Sequence, residues 1–80
     1  MPEPSLLGRR LRAYRRRAKM TQVALSEATG IHRATIAQVE SGIQQSLNLE
    51  NLIKICDALG LSLDQLARPN PDEDRVPALA

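Results

Sequence analysis

The sequence predicts an all-α fold: a compact domain of five short helices, two of them set about a tight central turn. Three observations carry this expectation. Apolar residues recur at helical rather than alternating spacing. Phe and Trp are absent and Tyr14 is the only aromatic residue, so Leu, Ile, Val and Ala must build the core, which suits packed helices better than a sheet. The stretch Thr21 to Gly42 reads as two short amphipathic segments separated by Gly30.

Eighty residues allow one domain. A core of this size rarely supplies more than about 3–5 kcal/mol, which favours self-association. We divide the chain into an arm at 1–5, a folded domain at 6–67 and a flexible tail at 68–80. The tail contains three prolines and the acidic run Asp72-Glu73-Asp74, with little apolar surface to bury. No run approaches the roughly 18 apolar residues of a membrane span. Arg9 and Arg10 follow Leu6-Leu7 too closely for the apolar region of a signal peptide. Cys56 is alone and has no internal disulfide partner. Together these features point to the cytoplasm and away from a membrane.

The net charge of +2 hides a polarity. Residues 1–20 carry seven basic side chains against Glu3, a balance of +6. Residues 21–80 carry four against eight acidic ones, a balance of −4. A basic segment on an otherwise acidic chain suits an anionic polymer; the plainer alternative is a solvated helix surface.

Helix 1 is expected at 6–18, capped by Ser5, with Leu7, Leu11, Tyr14 and Ala18 inward. Arg9, Arg12, Arg16 and Lys19 lie off that stripe, and Gly8 weakens the first turn. Thr21 caps helix 2, which runs to Ala28 with Leu25 and Ser26 inward. Gly30 ends it by accepting a positive φ. Ile31 fills the angle before helix 3 at 33–40. There Ile36 and Val39 face in, Arg33, Ala34, Ala37 and Gln38 face out, and Gly42 supplies the stop. Ile43 to Leu47 is a polar connection. Asn48 caps helix 4 at 49–59, with Leu49, Leu52, Ile53, Cys56 and Leu59 on its stripe and Gly60 at its end. Ser62 and Gln65 have capping-box spacing for helix 5 at 63–67, and Pro69 blocks its continuation.

Two helices joined by a short Gly-containing turn have the form of a helix-turn-helix, whose second helix can enter the major groove of DNA. The fuller pattern resembles the Cro/phage-repressor (XRE) type of DNA-binding domain, over roughly Leu7 to Leu66. The matching residues are Leu7, Leu11 and Arg15 in helix 1, Thr21-Gln22 and Leu25 opening helix 2, and Gly30-Ile31 at the turn. They continue with Thr35-Ile36 and Glu40-Ser41-Gly42 in helix 3, then Leu52, Ile55-Cys56, Leu59-Gly60-Leu61-Ser62-Leu63 and Leu66.

The resemblance implies a lambda-repressor-like domain that acts as a transcriptional repressor. It would bind double-stranded DNA as a homodimer on a pseudo-palindromic operator. It assigns base reading to His32, Arg33, Ala34 and Gln38 of helix 3. The chemistry suits the role: Arg33 can donate twice to guanine O6 and N7, Gln38 can pair with adenine N6 and N7, and Ala34 offers a methyl to thymine. Gln22 falls at a phosphate-binding position at the start of helix 2, where free N–H groups also favour an anion. Thr21, Thr35 and Ser41 are expected to join it on the backbone. Of the helix 1 arginines, Arg10 and Arg15 are the better phosphate candidates, ahead of Arg12 and Arg16. Arg15 and Glu40 match a partly buried ion pair between helices 1 and 3. Surplus apolar area at Leu61, Leu63 and Leu66 marks the expected dimer surface. The chain departs from the family pattern in carrying His32 at the cap of helix 3, Ser26 for Ala, and Ile43-Gln44-Gln45-Ser46 where relatives often carry Lys, Arg and Pro.

Cys56 on an apolar stripe is most simply a core residue, and one Cys with one His cannot build a zinc site. There is no Gly-rich phosphate loop and no nucleophile with a base, so neither enzyme activity nor a cofactor is expected. The alternative function is an antitoxin or adaptor whose segment Pro69 to Ala80 folds on a partner protein, a cognate toxin.

Overall fold

The computed structural model describes residues 6–67 and contains α1 (Leu6–Arg17), α2 (Gln22–Thr29), α3 (Arg33–Ser41), α4 (Leu49–Leu59) and α5 (Leu63–Ala67). No strand occurs among the described residues. The fold is the five-helix, all-α domain that periodicity and composition predict. The arm with its Ser5 cap, and the tail with Pro69, lie outside the described residues.

The helix ends follow local chemistry. Thr21 Oγ1 accepts from Ala24 N at 3.0 Å, and Asn48 Oδ1 accepts from Asn51 N at 2.8 Å. At α5 both halves of the capping box form: Ser62 N donates to Gln65 Oε1 at 2.8 Å and Gln65 N donates to Ser62 Oγ at 3.2 Å. Gly30, Gly42 and Gly60 end α2, α3 and α4 in the left-handed region. The end of α1 is different. Lys19, not a glycine, takes φ 60°, Met20 N donates to Arg15 O and Lys19 N to Arg16 O, a Schellman closure. Ala18 therefore falls beyond the helix and is exposed, where the periodicity had placed it inward.

The core is Leu11, Leu25, Ile31, Ile36, Val39, Ile55, Cys56 and Leu66. Helix α1 packs on α3 and α5, α2 packs on α3 and α4, and α4 packs on α5. Leu49 and Ile53, expected on the inward stripe of α4, are instead 59% and 45% exposed, and Ile55 is fully buried. Leu49, Leu52, Ile53, Ile55, Cys56 and Leu59 of α4 span an arc of about 160° on the helix. That is too wide for one buried face, and α2 and α5 cover the side centred on Leu52, Ile55 and Leu59. The Cys56 thiol is buried at 4% exposure and lies 3.6 Å from Ser62 O. Burial, with Asp57 adding to it, pushes its pKa up and keeps it an inert core group.

Gly8 is where α1 touches α3. A Cβ there would meet the Val39 carbonyl oxygen well inside contact distance and press on Val39 C and Glu40 Cα. The absent side chain sets how closely the two helices approach.

Candidate nucleic-acid interface

Helix α3 is divided lengthwise. Ile36 and Val39 are fully buried, and Glu40 lies beside them at 5% exposure. His32, Arg33, Ala34 and Gln38 are exposed, with Thr35 and Ala37 half-buried between. The turn before α3 is fixed from α2. Thr29 Oγ1 donates to Leu25 O at 2.8 Å and accepts from Ile31 N at 3.2 Å. Ser26 Oγ donates to Ile31 O, so the hydroxyl at this position ties α2 to the turn. His32 occupies the N-cap position without a side-chain cap bond, which leaves its imidazole exposed beside Arg33.

One ion pair holds the back of this face. Arg15 Nε donates to Glu40 Oε2 at 2.7 Å and Nη2 donates to Oε1 at 2.8 Å, with both side chains almost fully buried. Arg15 Nη1 donates to Met20 O at 2.8 Å. One guanidinium therefore joins α1, the α1–α2 turn and the end of α3. Its hydrogen bond to Glu40 raises the Arg15 pKa further above its already high value, against the opposing effect of burial. Gln22 Nε2 donates to Glu40 Oε1 at 3.3 Å, so the same carboxylate also orients the first side chain of α2. Arg12, Arg15, Gln22, Ala37, Glu40 and Ser41 line a shallow depression between α1, the start of α2 and the end of α3.

An exposed face on the second of two helices, a capped helix start beside it and a buried pair behind it form the frame of a helix-turn-helix. The helix-turn-helix family profile matches residues 11–66. The chain belongs to the XRE-type helix-turn-helix family. As a member it is a DNA-binding transcriptional regulator. It is similar to the restriction-modification controller protein C.AhdI from Aeromonas hydrophila, with a TM-score of 0.72 and 30% identity over 76% of this chain and 91% of that one. A search of curated proteins found no match.

Within this helix-turn-helix domain, the phosphate candidates divide by availability. Thr21 Oγ1 accepts a cap bond and keeps its hydroxyl hydrogen, while Gln22 keeps a second amide hydrogen after serving Glu40. The Ser41 hydroxyl donates to Gln38 O at 3.2 Å. In the loop, Gln44 Nε2 donates to Ser46 O and Gln45 Nε2 to Gly42 O, so both amides brace the loop itself. Arg10 corrects an expectation. It is 4% exposed and makes its interactions within the chain, so it presents no surface to a phosphate. Arg10 and Arg15 flank Leu11 on a wide buried face of α1, because α1 meets both α3 and α5. Leu66 corrects another. It is fully buried in this domain's own core and cannot line a dimer surface; Leu63 is 38% exposed and Leu61 is half-buried.

Sequence reasoning ranked Arg12 behind Arg10 and Arg15 as a phosphate contact. It is exposed and shares the depression with Gln22 and Ser41. The available signal was its spacing: three residues before Arg15, it stands one helical turn away on the solvent side. Among the described residues no group of His, Cys, Asp and Glu could hold a metal ion, and no helix is long and apolar enough to cross a membrane.

Proposed function

We propose that the protein is a homodimeric transcriptional repressor that lays α3 in the major groove of a pseudo-palindromic operator. The division of α3 carries this: its inner side chains are locked in the core, and Arg33, Ala34 and Gln38 are all turned outward with base-reading chemistry. Thr21 and Gln22 at the start of α2, with Thr35 on α3 and Ser41 once its hydroxyl turns from Gln38 O, are the backbone contacts. Similarity to a restriction-modification controller favours control of such genes as the specific role. No feature of residues 6–67 favours toxin binding, whose proposed segment Pro69 to Ala80 lies outside them.

The dimer surface is better supplied by α4 than by Leu61 and Leu66. Leu49 and Ile53 stand one turn apart on α4, both exposed, and Leu63 on the adjoining α5 is also exposed. Selection from random DNA duplexes tests the whole proposal. The protein should enrich two inverted half-sites centred about 10–10.5 base pairs apart, or a multiple of that. Ile53→Glu should sediment as a monomer and enrich single half-sites. Enrichment of no sequence would contradict operator recognition, and an Ile53→Glu dimer would remove α4 from the interface.

A further inference from the structure

We propose that Arg12 of α1 is itself a DNA-backbone contact, gripping a phosphate in the depression it shares with Gln22 and Ser41. This rests on the DNA-binding function above and extends the contact surface beyond the two helices of the motif. The charge distribution within the depression singles out Arg12. Arg15, the other cation lining it, is bonded through both its Nε and Nη2 to Glu40, so those two charges satisfy each other. Among the described residues no carboxylate pairs with Arg12, and its side chain is exposed. The depression therefore keeps one uncompensated positive charge beside a Gln22 amide that Glu40 holds in place with a hydrogen to spare. A guanidinium next to an oriented amide N–H is a donor set for phosphate oxygens.

Arg12 also belongs to a row. Arg9, Arg12 and Arg16 fall within about 60° of one another on α1, and all three are exposed. Duplex that follows α3 past the depression would run along this basic row. Arg17 stands apart, since its guanidinium lies 5.5 Å from the centroid of the Tyr14 ring. It is the natural control: the same charge on the same helix, outside the depression.

The test is DNA affinity against salt concentration for the full chain, on a selected operator and on a random duplex of equal length. Arg12→Ala should bind both duplexes more weakly by a similar factor, on the order of tenfold per subunit at 50 mM salt. Its slope of log K against log salt should be shallower by about 0.9 per subunit, about 1.8 for a bound dimer, so that the deficit per subunit shrinks about three- to fourfold by 200 mM. Arg12→Lys should restore most of the slope, and Arg17→Ala should keep the wild-type slope. Thermal melting of Arg12→Ala should match wild type, because the side chain is exposed. A wild-type slope in Arg12→Ala, or an equal loss in Arg17→Ala, would overturn the contact. Failure of the wild-type protein to bind either duplex would instead overturn DNA binding itself, and the contact with it.

Discussion

Glu40→Ala is expected to leave the domain largely unfolded at room temperature, or to lower its melting temperature by at least about 12 °C. The Glu40 carboxylate is only 4% exposed and accepts from Arg15 twice, at 2.7 and 2.8 Å. Removing it leaves a guanidinium of 10% side-chain exposure without its counter-charge, with the Nη1 bond to Met20 O in place but Nε and Nη2 deprived of their acceptors. Breaking a buried pair in this way costs about 3–5 kcal/mol. That equals the whole stability expected of a core this size. Arg15 is also the tie from α1 to Met20 O and to α3, so the loss spreads across three elements. Circular dichroism through a thermal ramp measures it. A melting temperature within a few degrees of wild type would show that the pair is dispensable.

Gly8→Ala should destabilise the domain by roughly 2–3 kcal/mol, although the exchange favours a helix in isolation. The new methyl would overlap a backbone carbonyl, that of Val39, rather than a flexible side-chain end. Helix α3 cannot retreat easily, because Ile36 and Val39 anchor it in the core. Chemical denaturation gives the free-energy change directly. Equal or greater stability than wild type would mean that α1 and α3 can separate without loss.

These two sites also mark where the sequence speaks plainly and where it does not. The helix ends are legible because capping is local: Thr21, Asn48, Ser62 with Gln65, and the three glycines after α2, α3 and α4 each act within a few residues. The outward face of α3 is legible for the same reason, since Ile36 and Val39 alone define its inner side. What failed depends on packing between distant elements. Gly8 looks like a weakness in α1 until α3 is laid against it. Helix α4 offers apolar side chains around almost half its circumference, and only α2 and α5 select Ile55 over Leu49 and Ile53. Arg10 and Arg12 have the same chemistry two residues apart, yet one is buried and the other lines the depression beside Gln22. Lys19 in a left-handed turn carries no glycine signal to announce it.

The central claim is that the exposed side chains of α3 read base pairs. The direct measurement compares the sites enriched from random duplexes by the wild-type protein and by Arg33→Ala. Arg33 is exposed at the start of α3 and suited to a guanine edge, so its loss should make one base pair in each half-site degenerate. Neighbouring positions should be retained, and affinity for the wild-type site should fall by about 1–3 kcal/mol per half-site. An enriched site identical to wild type at every position, bound with unchanged affinity, would contradict base reading by this helix.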